Sequence, residues 1–277
     1  MPIRFALLAL LLCGLRAAAG ESASLNGTVR FEGELPEPFR FDLSISARDL
    51  PVCSAGQDAL RPSNRLQVDS DSRGVRNAVL RLSALDGGTP AGAKPFPAER
   101  VPRIDQRACA YEPFVSWVQA GGKLELHSSD DTLHNVHAYR GKIGGETLFN
   151  VAMPVKGQTL TKTFEDEGLA VLACDAGHVW MCAYVFVTSN PYIALSGADG
   201  RFGLDGVPPG RYKASFWHAG WKVTPVGTNP ETGKPRGYAY AEPFEWETRV
   251  TLAAGENTLD AVLTPDGWKK PEPKPEP

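Results

Sequence analysis

Apolar and polar residues alternate along much of this chain with the period of two that is typical of half-buried β-strands. The first clear case is Ser24 to Glu32, where Leu25, Val29 and Phe31 alternate with polar neighbours. We predict further strands over residues 78–83, 114–118, 123–127, 134–139, 158–164, 170–173, 182–187, 202–204, 212–216, 248–252 and 258–263. The pattern predicts an all-β protein with very little helix.

The alternation weakens at three places, which divide the chain. Residues 33–74 are irregular, with a short strand near 39–45, and residues 86–98 form a linker rich in Gly, Pro and Ala. The character changes again after Asn190-Pro191, where a new series of turn signals begins. We predict a signal peptide (1–20), an N-terminal β segment (21–100), a β-sandwich (101–189), a second β-sandwich (190–265) and a disordered Pro-rich tail (266–277).

The first twenty residues have the layout of a secretory signal peptide: Arg4, an apolar run over residues 5–15, and the small residues 17–20. No later segment approaches the roughly 20 apolar residues that span a bilayer. Cys13 follows Leu12, where a lipoprotein needs a small residue, so we expect no lipidation. The predicted location is periplasmic or secreted.

Composition agrees with many short strands joined by turns, because the chain holds 28 Gly and 23 Pro at an ordinary 42% hydrophobic content. The formal net charge of −3 becomes −5 once Arg4 and Arg16 leave with the signal peptide. A negative chain has no basic surface for phosphates or anionic lipids. We therefore expect neither nucleic acid nor a membrane as a partner.

Four cysteines remain in the exported protein, and in an oxidising compartment their simplest arrangement is two disulfides. Cys53 lies in the irregular region and Cys109 just precedes a strand, so we favour a disulfide between them. Cys174 and Cys182 then either pair with each other or leave Cys174 free to bind a metal.

The loop from Cys174 to Cys182 favours the metal, because it also holds His178 and Met181, and a loop can fold these side chains toward one point. Soft thiolate, imidazole and thioether ligands suit copper. His134, at the start of a strand after a turn, is the best candidate for the remaining ligand. We expect the side chain of Asn135 to hydrogen-bond the cysteine loop and support the site.

For the other candidate site residues, packing in the fold is an alternative to contact with a metal or a ligand. His137 lies three residues along a strand from His134 and should face the opposite way, and His127 is interpreted as a non-ligand too. Trp180 could shield a metal from water or simply pack in the core. We interpret His218, which lies among aromatic residues, as a packing residue; contact with the copper unit or with a ligand is the alternative.

The motif His134-Asn135, the later Gly-rich loop and the Cys174-to-Met181 loop together resemble the cupredoxin family, in particular its amicyanin- and plastocyanin-like members. The resemblance covers about residues 101–188. It implies a Greek-key β-sandwich with a type 1 copper ion that shuttles one electron between Cu(I) and Cu(II). By motif, His134, Cys174, His178 and Met181 are the ligands and Asn135 supports them.

One departure from that pattern lies in the loop itself. Amicyanin-like members place two residues between the cysteine and the histidine, whereas this chain places three, Asp175-Ala176-Gly177. Loop length sets how ligands approach a metal, so the resemblance leaves the spectroscopic type and potential open.

A second resemblance joins the two flanks of this unit. Turns at residues 199–202 and 207–212 are similar to those of the carboxypeptidase regulatory-like sandwich, a prealbumin-like and carbohydrate-binding-like fold. Residues 27–29 and 77–80 resemble its early strands. We therefore expect the copper unit to be inserted into one composite sandwich. The aromatic residues after position 215 form either a sugar-stacking platform or this sandwich's core; they are Trp217, Trp221, Tyr238, Tyr240 and Trp246.

The sequence thus favours an exported mononuclear copper protein that exchanges single electrons with a redox partner such as a c-type cytochrome or a dehydrogenase. One alternative is copper storage, delivery or tolerance at the same ligands, and another is a carbohydrate-binding or interaction module. Zinc at the site is a lesser alternative. We expect no enzyme, because the sequence has no nucleophile motif or carboxylate pair spaced for acid–base work.

Overall fold

The computed structural model of this protein describes residues 22–96 and 101–269. The predicted signal peptide, with Cys13, and residues 270–277 of the predicted tail lie outside the described residues. None of the described helices is long and apolar enough to cross a membrane.

The structure confirms the all-β class. Before residue 101 it has strands β1 (Ala23–Phe31), β2 (Arg40–Asp42), β3 (Leu60–Pro62) and β4 (Val79–Ser83), a 3-10 helix (Leu43–Asp49) and a one-turn helix α1 (Leu50–Cys53). The next strands are β5 (Arg103–Arg107), β6 (Ala110–Glu112), β7 (Val115–Gln119), β8 (Gly122–Ser128), β9 (His134–Arg140), β10 (Thr147–Met153), β11 (Thr159–Phe164), β12 (Gly168–Ala173) and β13 (Cys182–Thr188). The last are β14 (Ile193–Leu195), β15 (Arg201–Val207), β16 (Gly210–His218), β17 (Val223–Thr228), β18 (Pro235–Tyr240), β19 (Phe244–Leu252), β20 (Gly255–Thr258), β21 (Ala261–Thr264) and β22 (Gly267–Lys269).

Strands β5 to β13 form the first sandwich. One sheet has the order β10-β9-β12-β13-β7 and the other β11-β8-β5-β6. Their facing apolar residues make one core, to which Leu124 and Leu126 contribute from one sheet and Val136, Ala138 and Leu172 from the other. This sandwich carries the motifs that the sequence singles out.

The second sandwich is built from both sides of the first. Strand β1 pairs with β15, β20 and β21, all of which follow residue 190. Strand β4 pairs with β14 and β16, so the whole first sandwich lies in the chain between two neighbouring strands. The predicted composite arrangement of strands is therefore present in the structure.

The two sandwiches pack against each other through a shared apolar cluster. Phe186 and Tyr184 of β13 contribute to it from the first sandwich, and Val79 and Trp217 from the second. Arg65 is also buried at this boundary, at 2% exposure, with its guanidinium 4.1 Å from the ring centre of Tyr240. Aromatic ring faces and hydrogen bonds, rather than a carboxylate, stabilise this buried cation.

The N-terminal segment is shared between the two sandwiches rather than belonging to one. Phe41, Leu43 and Cys53 pack in the core of the first sandwich, although β1 and β4 belong to the second. A disulfide joins Cys53 to Cys109, which the sequence favoured. It fastens the 3-10 helix and α1 over one end of the first sandwich; residues 43–53 are called the covering segment below.

Several elements differ from the sequence-based prediction. Strands β3, β5, β6, β10, β14, β17 and β18 had not been predicted. Strands β17 and β18 form a hairpin in which few residues are fully buried, so it shows little apolar alternation. Strand β22 lies where the disordered tail was predicted to begin. The indole of Trp268 holds it in place by donating to the Phe244 carbonyl at 2.9 Å.

Candidate metal centre

Two histidines and one cysteine meet at the end of the first sandwich. The Nδ1 atoms of His134 and His178 are 3.1 Å apart, and the sulfur of Cys174 is 3.7 Å from Nδ1 of His178. The three donor atoms lie within 4.8 Å of one another, and all three side chains are buried. The structure therefore brings together three of the four predicted ligands.

The backbone explains this convergence. His134 is the first residue of β9, with its side chain in the core, while Cys174 directly follows the neighbouring strand β12. The three-residue spacer turns back through Gly177 at a φ of 96°, a conformation that glycine adopts without strain. His178 is thereby returned to the side of Cys174.

Asn135 and Tyr111 tie the two ligand segments together. The side-chain oxygen of Asn135 accepts hydrogen bonds from the backbone N–H groups of Asp175 and Ala176, as the sequence led us to expect. The hydroxyl of Tyr111 contacts the carbonyl oxygens of Asn135 at 2.6 Å and Ala173 at 2.9 Å. These bonds fix the distance between β9 and the cysteine loop.

Each histidine also faces a buried carboxylate that sequence reasoning missed. Nε2 of His134 lies 2.9 Å from Asp130, and Nε2 of His178 lies 3.3 Å from Asp49, the latter pair misaligned for a hydrogen bond. A carboxylate on Nε2 keeps the proton there and leaves the Nδ1 lone pair free for a metal. Asp49 belongs to the covering segment, so no local motif could have indicated it.

Burial and hydrogen bonds shift the pKa values of the side chains in this site. Burial raises the pKa of Asp49, but hydrogen bonds from Thr132 and Ser46 outweigh it and lower that pKa to about 2. Burial lowers the pKa of His134, but hydrogen bonds with Asp130 and Cys174 raise it to about 9. Burial raises the pKa of Cys174, but hydrogen bonds from the two histidines lower it to about 6. The metal-free site therefore favours a thiolate beside an imidazolium, and a metal ion would displace the Nδ1 proton of His134 when it binds there.

Met181 and Trp180 complete the surroundings. Met181 is 2% exposed and lies in the same core cluster as Cys174, and its backbone N–H donates to the His178 carbonyl at 2.9 Å. The Trp180 ring centre lies 5.6 Å from that of His178, and its indole N–H donates to the Cys109 carbonyl at 2.9 Å. Trp180 thus both packs in the core and covers one side of the centre.

The donor set fits a metal ion. An ion bonded at about 2.0 to 2.3 Å to nitrogen and sulfur needs those donors roughly 3 to 4 Å apart. The separations of 3.1 Å between the imidazoles and 3.7 Å between thiol and imidazole meet this requirement. Two imidazoles with one thiolate in a dry site is a combination that suits copper.

Cys182 does not compete for Cys174. Both cysteines are free and buried, and the sulfur of Cys182 lies 3.8 Å from the guanidinium of Arg65. The disulfide between Cys174 and Cys182, which the sequence left open, is absent from the structure.

The remaining candidates lie elsewhere. His137 contacts Asp175 and Thr147 on the outer side of β9, and His127 contacts Thr159. The five aromatic residues of the predicted platform are divided among different clusters. Trp217 packs at the sandwich boundary, Trp246 stacks on Phe216, Trp221 packs on Phe244, Tyr238 packs on Phe39, and Tyr240 lies under Arg65.

His218 is a buried packing residue of the second sandwich. It is 0% exposed, its Nδ1 lies 2.9 Å from the Ala219 carbonyl, and its ring is 5.8 Å from that of Trp221. Burial disfavours the charged imidazolium and lowers the pKa of His218 to about 4. The native fold therefore holds this histidine neutral.

This lowered pKa predicts a loss of stability in acid. The unfolded chain takes up the proton near pH 6.5 and the folded chain only near pH 4, so stability is full above pH 6.5 and falls by about 3 kcal/mol down to pH 4. Urea unfolding of the metal-free protein at several pH values should show this fall in the free energy of unfolding in wild type and in the control variant His127→Gln. The fall should be much smaller in His218→Gln. An unchanged fall in His218→Gln would assign it to other groups.

Comparisons with known proteins add partial structural likenesses. No protein-family model matches the chain, and no curated protein matches it. Among solved structures, a purple cupredoxin from Nitrosopumilus maritimus is 22% identical over 31% of this chain and 99% of its own, with a TM-score of 0.28. A reduced single-substitution variant of amicyanin is 23% identical over 39% of this chain and 98% of its own, also with a TM-score of 0.28. A copper-containing nitrite reductase from Thermus scotoductus is 18% identical, with a TM-score of 0.28, and the match covers 36% of this chain and 24% of the reductase. These likenesses are partial and distant, so the chemistry of the centre rests on its own donor atoms.

Proposed function

We propose that this chain is an exported protein that binds one copper ion through His134, Cys174 and His178, with Met181 as a weak fourth donor, and transfers single electrons. The observation that supports it is the convergence of two imidazole nitrogens and one thiol sulfur within 4.8 Å in a buried site. Export is inferred from the signal peptide that the sequence predicts.

Copper would supply a Cu(I)/Cu(II) couple, and the chain's own residues would hold the ligands in a fixed, dry arrangement. The carboxylate of Asp130 and the hydrogen bonds of Asn135 hold the ligand segments in place before any metal binds. A fixed, dry donor set needs little rearrangement when one electron is gained or lost, which favours rapid transfer to a partner protein. Four protein donors would also leave no position for a substrate, so the proposal is a carrier rather than an enzyme.

Storage or delivery of copper is the second candidate. Its support is the burial of the donors: His134 and His178 are 0% exposed and Cys174 is 4% exposed, which would protect a bound ion from competing ligands. A storage protein holds Cu(I) without cycling, whereas a carrier is stable in both oxidation states.

Copper loading of the purified mature protein separates these functions. We expect one copper per chain, an intense visible band from thiolate-to-Cu(II) charge transfer, and a reversible one-electron potential. The variant His178→Ala should lose the band, whereas His127→Ala, at a histidine outside the centre, should keep it. Stoichiometric binding of Cu(I) without colour would favour storage, and failure to bind copper would sink both proposals.

A further inference from the structure

The donors of the centre are closed off from solvent by the protein itself. His134 and His178 are fully buried, and the covering segment lies against them through Asp49, whose carboxylate is 3.3 Å from His178. The disulfide between Cys53 and Cys109 holds that segment in place. A metal ion therefore cannot reach the imidazoles directly from this side without displacing the covering segment.

A cavity of about 260 Å³ adjoins the centre from another direction. Its rim includes the exposed residues Pro62, Asn64 and Glu112, and its wall includes Trp180 and Met181. The wall reaches the centre, since the Trp180 ring lies 5.6 Å from the ring of His178. The cavity thus connects the surface to the side chains that pack around the donors.

Cys109 belongs to the same wall, and its disulfide sulfur lies within 4.8 Å of a ring nitrogen of His178. Met181 also belongs both to this wall and to the core cluster of Cys174. Of the four proposed ligands, Met181 is the one that lines the cavity; the free cysteine Cys182, beside the Arg65 guanidinium at 3.8 Å, lines it too. An ion entering from the surface would therefore meet Met181 before the other three proposed ligands.

The chemistry of the cavity favours Cu(I) over hydrated Cu(II). A thioether is a soft, uncharged ligand that selects Cu(I). The mouth has no excess of acid to attract a hydrated dication, because Glu112 is accompanied by Arg61 and by Arg107, which pairs with Asp105 at 3.1 Å. A Cu(I) ion delivered on a thiol ligand fits this lining better.

We infer that this cavity is the route by which Cu(I), carried by a thiol compound, reaches the centre, with Met181 as the first of the four proposed ligands that it meets. The inference rests on the proposed copper function. In the exchange, the bond from Cu(I) to the sulfur of Met181 forms as a bond to the carrier's thiolate breaks. The carrier leaves with its electron pair and the copper stays Cu(I). Cys174 and the two histidines then take the ion, and the proton that the ligands release passes to solvent.

Blocking the cavity tests this route. Ala110 is a half-buried wall residue, so Ala110→Trp fills the cavity without touching a proposed ligand. The matched control is Ala239→Trp, at an exposed alanine that lines a different cavity. A preformed complex of Cu(I) with glutathione, without excess thiol, is added to each protein under anaerobic conditions, and the copper bound is measured after rapid desalting at timed intervals. Thiol titration of the same samples checks that the disulfide between Cys53 and Cys109 stays intact. Ala110→Trp should load at least tenfold more slowly with the same final copper per chain, and Ala239→Trp should load at the wild-type rate.

A second blocking variant, Asn64→Trp at the exposed rim, covers the case in which Ala110→Trp fails to fold, as circular dichroism would reveal. Slow loading in a folded blocking variant supports the route. Loading at the wild-type rate in folded blocking variants would overturn the route while leaving the copper function intact. A wild-type protein that takes up no copper would overturn the copper function and the route together.

Discussion

Replacing Cys174 by serine is expected to abolish the visible band of the copper-loaded protein and to weaken copper binding by at least about 100-fold, since loss of a supporting residue alone costs about 10 to 100-fold. Serine is close to cysteine in size, but its hydroxyl is a hard donor that stays protonated beside an imidazole. The charge-transfer band needs a thiolate sulfur on Cu(II), and Cys174, 3.7 Å from Nδ1 of His178, is the residue placed to supply it.

Cys182→Ser is the matched control for this experiment. Cys182 is also free and buried, but it faces Arg65 at 3.8 Å. Titration with copper, followed by visible absorption, should give a wild-type band in Cys182→Ser and none in Cys174→Ser. The reverse result would make Cys182 the thiolate ligand and would contradict the proposed centre.

The sequence predicted those parts of the fold in which one or both faces of a strand are buried. Strands β1, β9 and β13 carry apolar residues with a regular period or in a continuous run, and their bounds agree with the prediction within a residue or two. Strand β10 has mixed exposure along its length, so its pattern gave no signal. Strands β17 and β18 were missed for the same reason, because a strand with few fully buried residues has no regular pattern of apolar positions.

The residues of the metal centre likewise divide into those that the sequence indicated and those that it did not. The residue types and their order along the chain indicated His134, Cys174 and His178, because few structures need a thiol and two imidazoles with that spacing. Asp49 could not be found in this way, since it lies 129 positions before His178 and reaches it only through tertiary packing. Asp130 is nearer, but it adjoins Asp131, and sequence alone does not say which of the two turns inward.

Arg65 shows the same limit at the boundary between the sandwiches. In the sequence it is one arginine in an irregular stretch, where no pattern of neighbouring residues indicates that it is buried. In the structure it is buried, donates to the Gly220 carbonyl at 2.6 Å and contacts the rings of Tyr184 and Tyr240. Tyr240 in turn donates to the Trp180 carbonyl at 3.4 Å. The second sandwich therefore reaches the metal loop through this cation.

Removing the disulfide between Cys53 and Cys109 should be the most destabilising of the changes considered. The bond closes a loop with a sequence separation of 56 residues. A loop of this length restricts the unfolded chain enough for the bond to contribute about 4 kcal/mol to stability. We expect the double variant Cys53→Ala/Cys109→Ala to lose about that much free energy of unfolding, measured by denaturant titration of the metal-free protein.

The same variant should loosen the centre, which a general loss of stability would not explain by itself. Cys53 ends the helix that follows Asp49, so releasing it frees the covering segment and the carboxylate beside His178. Bound copper should then pass to an external chelator faster than from wild type under conditions where both proteins are fully folded. Treating wild type loaded with Cu(I) with a reductant that is not a thiol should reproduce both effects, because only the disulfide can then be reduced, and the double variant should not respond to it. A stability loss below about 1 kcal/mol would fall under the range of about 2 to 5 kcal/mol that is usual for removing a native disulfide. Such a small loss, or copper release at the wild-type rate, would show that packing alone holds the covering segment in place.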